Sequence, residues 1–446
     1  MAVEQFASND PNARFAAAIM RALFRETYAR DFALELWDGT IIPAERSERF
    51  RLVIGEAGAL RAAFRPPIDL NAGRAFAAGL LECRGDVEAG VDALYKALES
   101  LRVRSKLQVL ALLARMPTAK LPALREAALR GRRHSVERDR AAIGFHYDQP
   151  VAFYRTFLGS ELVYSCAYYD EGIEALEDAQ LAKIDYILNK LRLTPGERLL
   201  DIGCGWGALV IRAAEKFGAT AMGVTLSKAQ AEEAHRQIVE RGLTARASVH
   251  LLDYRQLPEK SFDKIASVGM FEHVGRAKLP TYFDTAYKLL VPGGLFLNHG
   301  IAEQGRERKG SPATGFVGRF VFPDGELVPV ADALLCAEKT GFEIRDVENL
   351  REHYTRTLRA WVENLERHRE EAILATDETT YRVWRLYMAG SAQGFRTGRI
   401  GLFQALLAKP ASDGVVSAIP PTRRDLYRDY RLPIATAAPV SLSKPL

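Results

Sequence analysis

The 446-residue sequence has little cysteine and no long apolar run. Its four cysteines, Cys83, Cys166, Cys204 and Cys336, are scattered, with none of the paired spacings of a zinc site or a disulfide framework. We therefore predict no metal site and a reducing compartment. No window of about 18 uninterrupted apolar residues indicates a membrane span. The N-terminus also lacks the basic start and apolar stretch of a secretory signal, so a cytoplasmic location is expected.

Internal repeats, low-complexity tracts and a strong excess of one charge are absent as well. The sequence has 48% hydrophobic and 26% charged residues, the composition of a globular protein with a sizeable core. Its net charge of +5 is mild, and no nucleic-acid partner is predicted. Arginines concentrate in LRGRRHSVERDR, residues 129–140, which suits either a solvated linker or contact with an anionic phosphate surface.

Residue patterns divide the chain into a unit at 1–125, a basic linker at 126–144 and a larger unit at 145–446. In the first unit, PNARFAAAIMRALFRETY has the apolar spacing of a helix. Two strand-like runs follow, separated by a turn at Asp38-Gly39. We predict a small α+β domain, for which lipid binding and oligomerisation are the roles considered.

The larger unit alternates short β-rich runs with helical patterns. The runs are ERLLDIG, ATAMGVTL, ASVHLLD, FDKIASVGM and GLFLNHGI. This alternation predicts an α/β fold with a doubly wound, mostly parallel sheet. Ligands bind beyond the carboxyl ends of such strands. Four segments are therefore expected to converge on one crevice: 201–207, 225–230, 253–254 and 270–274.

The glycine-rich turn LLDIGCGWGALV, residues 199–210, indicates what that crevice holds. Gly203, Gly205 and Gly207 form G-x-G-x-G, which departs from the dinucleotide fingerprint G-x-G-x-x-G. Thr225 stands where a ribose-binding acid would be expected. The turn therefore favours a compact nucleoside, S-adenosylmethionine, over NAD, with a purely structural turn as a further alternative.

Six segments in order resemble the cyclopropane-fatty-acyl-phospholipid synthase family over about residues 145–409. They are HYDQPVAFYRTFLGSELVYSCAYYDE, LLDIGCGWGALVIRAAEKFGATAMGVTLSKAQ, SVGMFEHVG, LFLNHGI, HYTRTLRAW and LYMAGSAQGFRTGRIGLFQALLAK. The resemblance implies a Rossmann-like methyltransferase. It would move the methyl group of S-adenosylmethionine to the double bond of an unsaturated phospholipid acyl chain, and bicarbonate would remove a proton to close a cyclopropane ring.

The resemblance also implies two sets of site residues. The ligands of bicarbonate would be Cys166, Glu272, His299, the backbone of Ile301, and Tyr354. The contacts of S-adenosylmethionine would be Tyr164, Ser165, Gly203, Gly205, Thr225, Leu226, Gln230, Asp253 and Tyr254. Within the second set, Gln230 would replace the usual ribose-binding acid, and Asp253 and Tyr254 would face the adenine.

Three alternatives stay open. Relatives with the same motifs also form methyl-branched acyl chains, in which the cation loses a different proton. The chain could instead be a catalytically silent lipid-binding protein, or methylate an unrelated small molecule. Peripheral membrane contact is expected in the phospholipid case, through the helix RFAAAIMRALF and through Arg130, Arg132 and Arg133, with burial or solvation of either segment as the alternative. Homo-oligomerisation is left open.

Overall fold

The computed structural model describes residues 8–24, 30–258, 262–304, 315–411, 413–414, 416, 419–420 and 422. Its first unit is a small sheet with helices packed on it. The elements are α1 Pro11–Phe24, β1 Phe32–Leu36, β2 Ile41–Ile42, β3 Phe50–Ile54, α2 Ala59–Ala63, α3 Ile68–Ala77, β4 Leu81–Gly85, α4 Val87–Ser100 and α5 Val103–Arg115. The strands lie in the order β2-β1-β3-β4, with β1 and β3 parallel. The predicted α+β domain is confirmed.

Two predictions for this unit have different outcomes. The turn at Asp38-Gly39 does join two strands, β1 and β2, and Gly39 has the positive φ of +82° that a tight turn requires. The prediction that α1 lays its apolar face on lipid is wrong. Ile19, Met20 and Leu23 are buried in the core of the unit, so that face is already occupied by protein.

The segment predicted to be a basic linker, 126–144, is helical from Val136 onward, about half of its length. Helix α6 spans Val136–Tyr147, and the Ser135 side chain caps it by accepting a hydrogen bond from the backbone N–H of Arg138. The Arg138 guanidinium donates to both carboxylate oxygens of Asp324 and thereby fixes α6 against the second unit. The exact domain boundaries at 125 and 144 stay predictions.

The second unit carries the large sheet. Its helices are α7 Val151–Leu158, α8 Leu176–Lys190, α9 Ala208–Lys216, α10 Lys228–Glu240, α11 Leu279–Leu289, α12 Phe316–Phe320, α13 Val330–Thr340, α14 Arg351–Arg367, α15 Arg369–Ala375 and α16 Glu378–Arg396. Its strands are β5 Arg198–Ile202, β6 Thr220–Thr225, β7 Ala247–Leu251, β8 Phe262–Val268, β9 Leu290–Glu303, β10 Glu343–Asn349 and β11 Ile400–Ala408. All five runs identified in the sequence are strands, which confirms the α/β prediction.

The strand order explains where a ligand can bind. The order is β10-β11-β9-β8-β5-β6-β7, and β11 runs antiparallel to both of its neighbours. Strand β5 is the switch point of the sheet. The chain continues from it to β6 on one side and later adds β8 on its other side. A crevice forms beyond the carboxyl ends of strands at such a switch point. The Gly203–Gly207 turn leaves β5 there.

The two units are held together by ion pairs across their contact surface. Arg385 of α16 is buried and donates to Glu82 of the first unit and to Glu366 of the second. Closer to the surface, Glu88 of α4 pairs with Arg359 and Arg396. Within the described ranges, no helix combines the length and the apolar character needed to cross a bilayer.

Candidate active site

A large cavity opens at the switch point of the sheet. It encloses about 1190 Å³, its mouth included. Its walls come from the ends of β5, β6, β7 and β8, from α6, and from the chain before α8. The four predicted segments supply Asp201–Gly205, Thr225, Leu226, Gln230, Asp253, Tyr254, Met270, His273 and Val274 to the lining. The predicted convergence is confirmed, because parallel strands bring their carboxyl ends to one edge.

The glycines of the turn serve different purposes. A Cβ on Gly203 would lie 2.9 Å from the Cβ of Met270, and one on Gly207 would lie 3.0 Å from that of Ala234, so both allow close packing. Gly205 has φ +55° and lines the cavity, yet a Cβ there would meet no described atom within 4 Å. The protein itself leaves that space open, which fits a ligand lying against the backbone of Gly205.

Thr225, Leu226 and Gln230 form the wall beyond β6. Gln230 is buried and lies on the first turn of α10. Its backbone N–H donates to the capping hydroxyl of Ser227. The Thr225 hydroxyl donates to Oε1 of Gln230 over 2.6 Å. One lone pair of that oxygen remains for a ligand hydroxyl, so binding of a ribose by Gln230 stays a prediction that the geometry permits.

Asp253 and Tyr254 lie in the wall beyond β7, where Arg255 is a neighbour that the sequence analysis missed. Arg255 donates to both carboxylate oxygens of Asp253 and also to Asp139 of α6. Its guanidinium carbon is 5.6 Å from the ring centroid of Tyr254. The carboxylate of Asp253 is thus already held in place, and an adenine amino group would use its remaining lone pairs.

A buried cation and a buried acid also line the cavity. The Nζ atom of Lys183 donates to the hydroxyl of Ser165 over 2.6 Å, and burial lowers the pKa of Lys183 to about 8. Burial likewise raises the pKa of Asp201 to about 7, although Lys183 opposes the shift. Asp201 lies in the predicted segment 201–207, whereas Lys183 lies in α8 without a motif, and the sequence analysis missed it.

Tyr164 connects the cavity to a dense aromatic cluster. Its ring lines the cavity and lies 5.1 Å from Trp361 and 5.8 Å from Trp384, centroid to centroid. Tyr154 and Phe157 pack on the same side. Both tryptophans and Tyr154 are almost completely buried. Water therefore has little access to this side of the cavity.

The five residues predicted to hold bicarbonate lie next to one another, although none of them lines the cavity. Glu272 Oε1 accepts from the backbone N–H of Ile301 over 2.5 Å. His299 lies two residues before Ile301 on β9, with its Nδ1 atom 3.1 Å from the Gln404 side-chain amide. Gln404 and Leu402 are the β11 partners of His299 and Ile301.

Cys166 and Tyr354 complete this group from the other side of β11. The Cys166 thiol contacts the backbone carbonyl of Leu350 at 3.9 Å, and the backbone N–H of Leu350 donates to Leu402. Tyr354 follows one turn later in α14, buried against Phe395 at 4.6 Å between ring centroids. The structure thus brings the five predicted residues together, while their role stays a prediction.

The electrostatics of the group follow from its burial. Burial raises the pKa of Glu272 from about 4.5 to about 7, and it keeps His299 neutral by lowering its pKa. Burial also raises the pKa of the Cys166 thiol and of the Tyr354 phenol, so both stay protonated donors. Among the described residues, Glu272 Oε2 and His299 Nε2 have no hydrogen-bond partner.

Comparison with known proteins identifies relatives for most of the chain. A family model for mycolic acid cyclopropane synthetase matches residues 134–405. A "Probable fatty acid methyltransferase" of Pseudomonas putida is 38% identical over 400 residues, covering 89% of this chain and 96% of the relative. Since residues 134–446 make up only 70% of the chain, that similarity extends into the first unit.

Solved structures match the second unit. The cyclopropane synthase MmaA2 from Mycobacterium tuberculosis is 36% identical, with a TM-score of 0.58, over 60% of this chain and 98% of its own. The mycolic acid cyclopropane synthase CmaA1, complexed with SAH and CTAB, is 36% identical, with a TM-score of 0.57, over the same shares of the two chains. Both matches support the Rossmann-like methyltransferase fold.

Proposed function

Because the chain belongs to the mycolic acid cyclopropane synthetase family of S-adenosylmethionine-dependent methyltransferases, we propose that it methylates the double bond of an unsaturated phospholipid acyl chain. A proton then leaves the new methyl group and a cyclopropane ring closes. The observation that carries this proposal is the position of Tyr164. It lies in the wall of the nucleoside cavity and at the edge of the dry aromatic cluster.

The cavity supports S-adenosylmethionine as the methyl donor. Gly205 leaves room for the nucleoside, and Gln230 and Asp253 offer oxygen acceptors for hydroxyl and amino groups. Lys183 and Ser165 lie where a charged amino-acid tail would find a cation and a hydroxyl. S-adenosylmethionine bound there supplies an electrophilic methyl group on a positively charged sulfur.

The aromatic cluster suits the acceptor. In the reaction, the π electrons of the alkene form a bond to the methyl carbon while its bond to sulfur breaks, which leaves a positive charge on the acyl chain. Tyr147, Tyr164 and Trp206 line the cavity, and aromatic faces of this kind stabilise a nearby cation. Because Trp361 and Trp384 are buried, the cluster also keeps water from adding to the cation.

The group around Glu272 fits a small oxyanion such as bicarbonate. The amide of Gln404 beside Nδ1 of His299 favours the tautomer with the proton on Nε2, which leaves a buried donor without a partner. Glu272 Oε2 can accept a hydrogen bond from the ion's own hydroxyl and thereby orient it. Bicarbonate held there would supply the base for the departing methyl proton, and the ring closes with the electron pair of that C–H bond.

A phospholipid acceptor requires contact with a membrane, and the basic segment is only partly free for this. Arg130 and Arg132 are exposed, whereas Arg133 contacts the backbone carbonyl of Asp324 and lies 3.8 Å from Glu326. We retain peripheral membrane association as part of the proposal, with Arg130 and Arg132 as secondary contacts. Self-association also stays a prediction.

The experiment is methyl transfer to defined lipids. The purified protein is incubated with radiolabelled S-adenosylmethionine and detergent-dispersed phospholipids that carry either unsaturated or saturated acyl chains. The proposal expects label in the acyl chains of the unsaturated lipid only, with a cyclopropane signal by NMR. Label in a methyl-branched acyl chain would show that the protein forms a branch instead of closing a ring. Label in neither lipid would overturn the proposal.

A further inference from the structure

Helix α5 exposes an apolar stripe that nothing in the described structure covers. Val103, Leu107 and Leu110 are 73%, 62% and 57% exposed. Their spacing of four and three residues places them on one face of the helix. Three large apolar side chains in a row on a protein surface indicate an interaction site, whereas single ones are ordinary.

The helix is firmly held by its opposite face. Val109 and Leu113 are buried in the core of the first unit, together with residues of α1. Arg61 of α2 also donates to the backbone carbonyls of Ala114 and Met116 at the end of α5. The exposed stripe is therefore presented on a fixed helix.

Along the chain from α5 to residue 125 the charges have a single sign, and the exposed Glu99 lies four residues before Val103, at the end of α4. Between residues 101 and 125 the sequence contains no acidic residue and six basic ones, Arg102, Arg104, Lys106, Arg115, Lys120 and Arg125. Arg104 and Lys106 are exposed beside Val103 and Leu107. The next acid along the chain, Glu126, is already paired with Arg74. A partner for this surface has to combine apolar groups with negative charge.

We propose that α5 is the surface by which the protein docks on an anionic phospholipid bilayer. The stripe would enter the boundary between head groups and acyl chains, and Arg104 and Lys106 would contact lipid phosphates. A helix with an apolar face and basic flanks binds such an interface in this orientation. The biological purpose of this docking rests on the proposed function, although the surface itself is argued without it.

The chain that follows α5 leads directly to the wall of the cavity. The guanidinium of Arg125 lies over the ring of Phe145 in α6, 5.6 Å from its centroid, and the backbone N–H of Ala127 donates to Arg319 in α12. Helix α6 contributes Asp139, Ile143 and Tyr147 to the lining. Docking through α5 would thus hold the membrane near the unit that carries the proposed chemistry.

The test is sedimentation with vesicles of phosphatidylglycerol and phosphatidylcholine. A double variant, Leu107→Gln with Leu110→Gln, is compared with Leu374→Gln, which removes an 89% exposed leucine beside Glu370 and Glu371 in α15. We expect at least tenfold weaker vesicle binding for the double variant and unchanged binding for the control. Circular dichroism and S-adenosylmethionine affinity, both unchanged, show that the double variant is folded.

Charge is tested separately with Arg104→Gln combined with Lys106→Gln. Vesicle binding should fall about tenfold at low salt, and the difference from the parent should shrink as salt screens the surface. The control is Lys228→Gln, which removes a 77% exposed lysine that faces Glu232. Binding of the charge variant that equals the parent's at low salt would contradict the assignment of these residues.

The result separates this inference from the proposed function. Vesicle binding by the Leu107/Leu110 variant as tight as the parent's would overturn the docking surface, whatever lipid the protein methylates. A shift of the parent from oligomer to monomer on the same substitutions, without a change in vesicle binding, would assign the stripe to a second copy of the chain. A parent that docks through α5 but methylates no lipid would overturn the proposed function alone.

Discussion

The two units of this protein differ in where their acidic and basic side chains lie. In the first unit, charges such as Arg49, Arg51 and Arg84 pair with carboxylates at the surface, and the core is apolar. In the second unit, Lys183 and Glu272 are buried, with pKa values displaced by burial. Displaced pKa values of this kind cluster at functional sites. The comparison places chemistry in the second unit and surface recognition in the first.

The largest effect is expected where the second unit meets its ligand. Gly205→Val puts a branched side chain into the space left open in the cavity, so S-adenosylmethionine affinity should fall by about 1000-fold, which corresponds to ~4 kcal/mol. Isothermal titration calorimetry measures this loss. Gly242→Val is the matched control, because Gly242 also has a positive φ and open space but lies outside the cavity lining. Equal affinity in both variants would make the turn purely structural.

The next effect is a loss of stability when the contact between the two units is altered. Arg385→Ala leaves Glu366 without this partner and Glu82 with Arg382 alone, and we expect the free energy of unfolding to fall by about 2 kcal/mol. Urea titration measures the change. The control, Arg359→Ala, breaks an exposed ion pair across the same junction and should cost less than about 1 kcal/mol. Similar losses in the two variants would show that burial does not govern this contact.

Substitutions among the residues predicted to hold bicarbonate, here called the base site, should lower turnover and leave cofactor binding unchanged. Cys166→Ser and Glu272→Gln should each lower kcat about tenfold or more, because they alter the place where the proton leaves and do not contact the nucleoside. Steady-state kinetics and calorimetry give the two readouts. Cys336→Ser, at a partly exposed cysteine away from this group, should retain parental turnover. Parental turnover in both variants would contradict the assignment of Cys166 and Glu272 to the base site.

A further effect concerns how stability depends on pH. The pKa of Glu272 is raised from about 4.5 to about 7, so its contribution to stability is fully present below pH 4.5 and is lost as pH rises through 7. Glu272→Gln carries no such proton, and the variant should gain stability relative to the parent over this window, by up to about 3 kcal/mol. Urea titrations at several pH values give the difference. A difference that does not change with pH would mean that Glu272 is not buried as described.

Much of the second unit could be predicted because its signals are local. Apolar strand runs and a glycine turn follow directly from residue type, and parallel strands then bring their ends together at one crevice. The set of residues predicted to hold bicarbonate was implied by the family resemblance. No spacing rule would have joined Cys166 to Tyr354 across 188 positions of the chain, and only their contacts around Leu350 reveal it.

The sequence was least informative about which long or apolar side chains are buried and which are exposed to solvent. Helix α1 has the pattern of a lipid-binding helix, but the same apolar face can pack on a sheet, and it does. Helix α5 is apolar on several sides, so its pattern does not say which side the core takes. Lys183 and Arg255 gave no signal, because a lone basic residue on a helix or turn is usually solvated.

The central claim is that a methyl group is added to an alkene and loses one of its own protons as a ring closes. It is tested most directly with S-adenosylmethionine whose methyl carries three deuterium atoms, using an unsaturated phospholipid and parental protein. Mass spectrometry and NMR of the acyl chain should find a cyclopropane carbon bearing two deuterium atoms. A methyl branch that keeps all three deuterium atoms, or an acyl chain without deuterium, would contradict the account.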